Sequence, residues 1–292
     1  MSAAFDIAPD WRGRGIATFK VVLFIAIFVA LNMGANEILL SSRWLMAHFT
    51  STEGHLLLSM GALMVVTIGL TAVMARVNGE RFAAFGFGDD ARATNFALGV
   101  LCGLIGLALH LGVLLLLGDA SWKVSPLDAA LLWEAGMLAV LLFVVAFTEE
   151  FLFRGYVLVE LARAVSFWPA AIGLALMFGA VHWLKGGGEN FVSGCQAAGA
   201  ALVYALSFRM TGSLWIAIGS HFGWNFAQSF IFGVPDSALM FAHPLLQSSM
   251  HGPDFLTGGT VGPEGSFLSA FEFPLVLAAS WIRRSREVQP SP

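Results

Sequence analysis

The feature that most limits how this chain can fold is a series of long apolar segments spread over nearly its whole length. Each is roughly 20 residues or longer, which is the length of helix that crosses the hydrocarbon of a bilayer. The eight segments are 16–33, 54–75, 93–117, 127–164, 167–184, 191–209, 211–234 and 265–283. Only 12% of the residues are charged, against about 25% in soluble domains. The sequence therefore predicts an all-α fold, a polytopic transmembrane helical bundle of about eight spans within a single integral membrane domain, 1–292.

The segment 127–164 is too long for one upright span. As a straight helix it would measure about 57 Å, whereas the hydrocarbon is about 30 Å thick. We therefore expect this segment to tilt, to break or to protrude from the bilayer.

Basic residues are distributed unequally between the two sides of the predicted membrane. The termini and the even-numbered loops hold Arg12, Arg14, Arg76, Arg81, Arg92, Arg163, Arg209, Arg283, Arg284 and Arg286. The opposite side holds Arg43, Lys123 and Lys185. Because Lys and Arg favour cytoplasmic loops, we expect both termini to be cytoplasmic and the protein to lie in the plasma membrane. The connection 235–264 has neither Lys nor Arg and is rich in Gly and Pro, which is typical of an external loop.

The overall charge argues against nucleic acid as a partner. The formal net charge is -4, and the basic residues are scattered rather than clustered. A nucleic-acid-binding surface requires a basic patch or stripe. The expected partners are instead the lipid bilayer and molecules that reach the protein from it.

Two adjacent carboxylates, Glu149 and Glu150, lie inside the apolar segment 127–164 and are followed by Arg154. Each charge at membrane depth costs roughly 2.5 to 3.5 kcal/mol, so such residues indicate a functional site by default. Glu150 and Arg154 have the i,i+4 spacing of an ion pair on one helix face. Glu149 lies about 100° further round the helix, which leaves it without a local cation.

Three further polar residues stand inside apolar segments, namely His182, His221 and Asn225. A turn near 165–166 would place Glu149 and His182 at similar depths in an antiparallel helical hairpin. A turn near 210–211 brings His221 and Asn225 to about the same level, and their spacing of four places them on one helix face. The sequence thus predicts that these side chains converge with Glu149.

A buried carboxylate beside two imidazoles is suited to activating water. Glu149 would act as a general base, with His182 orienting the carboxylate or the water. His221 and Asn225 would donate hydrogen bonds to the oxyanion formed during amide hydrolysis. Alternatively, Glu149, His182 and His221 form a set that could bind Zn²⁺ or another divalent metal and leave one position open for water. Both mechanisms are compatible with the residues.

Three motifs occur in order on successive predicted helices: Glu-Glu-x-x-x-Arg at 149–154, Phe-x-x-x-His at 178–182 and His-x-x-x-Asn at 221–225. Together they resemble the CPBP family of CAAX proteases and bacteriocin-processing enzymes, also called the ABI family, over 127–235. The resemblance implies an intramembrane endopeptidase of the type II CAAX prenyl protease kind, with 127–235 as its catalytic helical core. It implies catalytic roles for Glu149, His182, His221 and Asn225.

By the same resemblance, Glu150 and Arg154 support the site and the substrate is a membrane-embedded or lipidated peptide. Two other functions remain open: a membrane transporter or channel whose permeation path these polar residues line, and a non-catalytic membrane scaffold or immunity protein. Two more acids, Glu134 and Glu272, lie in or near apolar segments. We interpret each as interfacial or paired in preference to lining the cavity.

Overall fold

In lipid, a chain can satisfy its backbone polar groups only by forming helices or closed barrels, and here the apolar segments are helical. The computed structural model describes Phe5 and residues 10–88, 91–186 and 188–288. The longer helices are α1 (Trp11–Ser41), α3 (Thr52–Val77), α4 (Arg92–Leu117), α5 (Ala129–Arg154), α6 (Tyr156–Val165), α7 (Phe167–Leu184), α8 (Phe191–Thr211), α9 (Trp215–Phe226) and α11 (Glu272–Val288). Two short helices, α2 (Arg43–His48) and α10 (Asp254–Thr257), lie in connections.

Six of these helical segments in the described part of the chain are long and apolar enough to cross a membrane. They are Trp11–Ser41, Thr52–Val77, Arg92–Leu117, Ala129–Val165, Phe167–Leu184 and Phe191–Thr211. The predicted helical membrane bundle is confirmed, and the protein is a multi-pass membrane protein. The other two predicted spans correspond to shorter helices, because α9 has 12 residues and α11 has 17.

The long segment 127–164 breaks at Gly155, between α5 and α6. A Cβ atom at this position would lie 2.4 Å from the carbonyl oxygen of Phe151, so a side chain does not fit the break. The chain then reverses at Ser166, which has a positive φ of 78° and separates α6 from α7. The predicted turn at 165–166 is therefore confirmed, and the break is one of the three predicted outcomes for this segment.

Glycines allow α4 and α9 to pack with their backbones in contact. A Cβ atom at Gly99 would lie 2.2 Å from the Ile216 carbonyl oxygen, and one at Gly103 would lie 2.3 Å from that of Ser220. Small residues permit such close approach between membrane helices. Since α9 carries His221 and Asn225, this contact fixes the height of both residues relative to α4.

Two short strands join connections that are far apart in the sequence. β1 (Ala120–Val124) pairs antiparallel with β2 (Leu246–Met250), with Ala120 opposite Met250 and Val124 opposite Leu246. They lie at the end of the bundle where α4 finishes and α5 starts. The connection that includes β2 leads to α11, which packs against α4 and α8. The chain thus returns to the bundle after crossing its end.

Candidate active site

The two adjacent carboxylates of α5 have different surroundings. Successive residues of an α-helix project about 100° apart, so neighbouring side chains on α5 face different directions. Glu150 is fully buried, whereas the side chain of Glu149 is 20% exposed. Arg154 is one turn further along and is 3% exposed, and its Nη1 lies 3.3 Å from Glu150 Oε1. Glu150 therefore has the local cation that the spacing predicts.

His221 lies between the two carboxylates. Its Nδ1 is 2.9 Å from Glu150 Oε1, and its Nε2 is 3.9 Å from Glu149 Oε2. Because an ionised carboxylate can only accept a hydrogen bond, the ring donates from Nδ1 to Glu150. This bond fixes the orientation of the imidazole and points its other nitrogen towards Glu149. The distance of 3.9 Å exceeds that of a direct hydrogen bond and suits a bridging water molecule.

A cavity with an open mouth lies beside this group. Four of the residues predicted from the sequence line it, namely Glu150, His182, His221 and Asn225. Glu149 is not part of that lining and approaches it through His221. Asn225 is 8% exposed and lies one turn beyond His221 on α9. The structure thus brings His182, His221 and Asn225 to one cavity, and it brings Glu149 near His221 but not into the lining.

His182 is held differently from His221. Its Nδ1 donates to the carbonyl oxygen of Phe178 at 3.0 Å, and the two rings are 4.4 Å apart. The structure gives no direct bond between His182 and Glu149 among the described residues. With Nδ1 committed to the backbone, Nε2 is the ring nitrogen left for water or substrate.

The cavity lining also includes Glu272, an acid that lies outside the three sequence motifs. Glu272, at the start of α11, is 4% exposed and accepts hydrogen bonds at Oε1 from Tyr204 at 2.7 Å and Ser220 at 2.6 Å. The ring of Tyr204 stacks against His221 at 6.4 Å. The only sequence signal for Glu272 is its place inside an apolar segment. We expected Glu272 to be interfacial or paired and not to line the cavity. These bonds show that it is paired, but it also lines the cavity, so that part of the expectation was wrong.

The predicted metal ligands Glu149, His182 and His221 are not arranged as a metal site. Within the described ranges, no group of three His, Cys, Asp or Glu side chains could hold a metal ion. Both ring nitrogens of His221 face carboxylates, and Nδ1 of His182 is bonded to the backbone. As placed, these residues do not fit a zinc site, and we derive no step through a metal.

Comparison with protein families identifies the segment that carries this arrangement. Residues 131–227 match the family model described as type II CAAX prenyl endopeptidase Rce1-like. Over these residues the chain is similar to this family. The matched segment includes all six predicted site residues, and the resemblance inferred from the three motifs is confirmed. Searches of curated proteins and of solved structures gave no match.

Proposed function

We propose that this protein is an intramembrane endopeptidase that hydrolyses a peptide bond of a membrane-associated or lipidated substrate. The family match supports a CAAX-type endopeptidase in general. The observation that carries the specific chemistry is the position of His221, which is bonded to Glu150 and faces Glu149 across 3.9 Å beside a cavity. This arrangement holds a carboxylate and an imidazole at a distance that one water molecule can bridge.

In the proposed mechanism, Glu149 removes a proton from a water molecule as its oxygen attacks the peptide carbonyl carbon. His182, which lines the cavity, orients the water or the scissile amide. The negative charge that develops on the carbonyl oxygen is stabilised by the side-chain amide N–H of Asn225 and by the Nε2–H of His221 in its imidazolium form, since the Nδ1–H of His221 is held by Glu150. Glu149 then gives its proton to the leaving amine nitrogen, which returns the carboxylate to its starting state.

Glu150 and Arg154 act on His221 in this proposal. A single buried carboxylate would be costly, and Arg154 compensates its charge. The neutralised pair can then serve as a fixed acceptor for His221 Nδ1–H. Because the cost of desolvating a buried ion pair offsets its attraction, we assign this pair the role of orienting His221 in place of a role in stability.

The test uses the full chain in lipid vesicles and a panel of quenched fluorescent peptides, including farnesylated ones that end in a CAAX sequence. Glu149→Gln and His182→Ala should each lower kcat/KM by roughly 10²-fold or more, the contribution typical of general acid–base catalysis. Glu37→Gln, at an exposed acid on α1, is the matched control and should leave cleavage unchanged. Full turnover by Glu149→Gln, with the protein still monodisperse in detergent, would exclude the mechanism.

The metal-dependent alternative has its own test. If the Glu149 carboxylate activates water without a metal, cleavage should persist after incubation with 1,10-phenanthroline and EDTA. Loss of cleavage that is restored by added Zn²⁺ would assign water activation to a metal and require Glu149, His182 and His221 to rearrange.

We also propose that both termini are cytoplasmic and that the protein lies in the plasma membrane. The support is the excess of Lys and Arg at the termini and in even-numbered loops. Cysteine-accessibility labelling at residues introduced in 235–264 and near each terminus tests this orientation. Labelling of the termini from outside intact cells would reverse it.

A further inference from the structure

The lining of the cavity carries a one-sided charge. Its acidic members are Glu150, Glu189, Glu264 and Glu272. Among the described residues that line it, there is neither Lys nor Arg. A cavity lined by one sign of charge with low-dielectric walls concentrates the opposite charge. These acids differ in how far hydrogen bonds and ion pairs within the protein compensate their burial.

Two of the four acids have strong internal partners. Glu150 is bonded to Arg154 and His221, and Glu272 accepts from two hydroxyl groups. These two carboxylates belong to the site described above. The remaining two, Glu189 and Glu264, come from the connections at the end of the bundle that β1 and β2 cross.

Glu189 is buried without adequate compensation. Its side chain is 1% exposed, and its nearest cation, the half-exposed Lys185, lies 3.7 Å from Oε1. Oε1 has no hydrogen-bond partner among the described residues. A buried carboxylate oxygen without a donor is unfavourable, and it is the kind of group that a ligand's donor would satisfy.

Glu264 has backbone support but no adjacent cation within hydrogen-bond reach in the described structure. Its Oε2 accepts from the backbone N–H of Ser237 at 3.0 Å and from the Ser237 hydroxyl at 3.2 Å. Burial, together with the nearby negative charges of Asp236 and Glu189, raises the pKa of Glu264 to about 8. Burial likewise raises the pKa of Asp236, to about 6. Lys185 offsets these shifts only in part, so a second cation bound here would favour the ionised form of Glu264.

The rest of the lining favours an organic cation over a metal ion. No group of three potential ligands within the described ranges could hold a metal. Beside the acids, the lining includes Ala197, Ala200 and Phe273, which are suited to the methylene stem of a long basic side chain. Lys and Arg bury such stems against apolar surface while their charged heads reach a polar group.

We propose that Glu189 and Glu264 form a specificity subsite that binds the cationic side chain of a Lys or Arg residue near the scissile bond of the substrate. This inference rests on the proposed endopeptidase function. The two carboxylates select the substrate, and the residues on α5, α7 and α9 cleave it. A substrate with an acidic residue at the same position is disfavoured by repulsion.

The experiment starts from a quenched fluorescent peptide that the wild-type protein cleaves in lipid vesicles. Each position flanking the scissile bond is replaced in turn by Lys, norleucine or Glu, so that length and apolar stem are matched between Lys and norleucine. At one position, kcat/KM should be about tenfold higher for Lys than for norleucine, and lowest for Glu. Equal cleavage of the three peptides at every position would overturn the subsite.

Variants then assign the preference to the two acids. In Glu189→Gln and Glu264→Gln, the ratio of kcat/KM for Lys over norleucine should fall towards one, and Glu37→Gln should retain the wild-type ratio. Lys185→Gln removes the competing cation and should raise the ratio, which provides a second test if a glutamine variant does not fold. A wild-type ratio in the double variant Glu189→Gln/Glu264→Gln would refute the assignment.

A binding measurement separates failure of the subsite from failure of the proposed function. Fluorescently labelled Lys and norleucine forms of one peptide are titrated with Glu149→Gln protein in nanodiscs. The Lys form should bind about tenfold more tightly, and the double variant Glu149→Gln/Glu189→Gln should lose this difference. Selective binding without any cleavage by wild type would retain the subsite and reject the protease. Equal binding of both forms would reject the subsite, whatever the activity.

Discussion

The backbone contact between α4 and α9 gives the sharpest prediction, which is the effect of Gly103→Ala. The new Cβ would lie 2.3 Å from the Ser220 carbonyl oxygen and 2.4 Å from the Trp224 amide nitrogen, and ordinary contact begins near 3.4 Å. Both neighbours are backbone atoms of α9, so no side-chain rotation can relieve the overlap. The two helices must therefore separate by about 1 Å at this level.

The size of the effect follows from that displacement. Overpacking a well-packed interior costs about 1–3 kcal/mol, and we expect the upper part of this range because the obstruction is backbone. His221 lies between the two contacted residues on α9, so it moves with them relative to Glu149 and Glu150. A misplacement of about 1 Å in catalytic geometry lowers the rate roughly 10²-fold.

The assays are the free energy of unfolding by SDS titration in mixed micelles and the rate of peptide cleavage in vesicles. Gly112→Ala is the matched control in the same helix, because a Cβ there has nothing within 4 Å. It should leave cleavage unchanged and be neutral or stabilising by roughly 0.5–1 kcal/mol, since Ala favours helix over Gly. Equal stability and equal activity of the two alanine variants would refute the reasoning.

Three further predictions concern buried charge. Arg154→Met leaves Glu150 with His221 as its remaining partner and should lower the free energy of unfolding by about 3 kcal/mol or more; a loss below about 1 kcal/mol in the same titration would contradict this. Arg163→Met removes partly buried bonds to Glu80 at 2.6 Å and to Glu160 at 2.9 Å, and should cost about 1–3 kcal/mol. Folding raises the pKa of Glu264 from 4.5 to about 8, so the folded state binds more protons and its stability should fall between about pH 4.5 and 8. Glu264→Gln should flatten that fall in a thermal-melting series, and an unchanged pH profile would count against it.

Hydropathy alone predicted the class of fold, because a long apolar segment has few ways to satisfy its backbone in lipid. It also showed that 127–164 could not be one upright helix. The position of the break was not predictable, since several glycines occur in the chain and only the contact with Phe151 explains Gly155. α9 ends at Phe226 and α11 begins at Glu272, both inside predicted apolar segments, so a local hydropathy pattern does not locate these ends.

The candidate site was predictable as far as spacing and depth allowed. Depth along the helices brought His182, His221 and Asn225 to one cavity. The rotation of α5 about its axis decides which carboxylate contacts His221, and a change of one residue turns the helix by about 100°. For this reason the bond from His221 to Glu150 was not predicted. Glu189 and Glu264 were also missed, because they belong to connections whose paths are set by distant contacts.

The hydrogen bonds of Glu272 join α11 to two residues that come earlier in the chain, Tyr204 and Ser220. Tyr204 and Ser220 precede α11 in the chain and are therefore synthesised before it. Until α11 packs against α4 and α8, the two hydroxyl groups lack their acceptor and one wall of the cavity is absent. A chain without α11 would therefore carry both hydroxyl groups without their acceptor, and its cavity would lack the wall that Glu272 supplies.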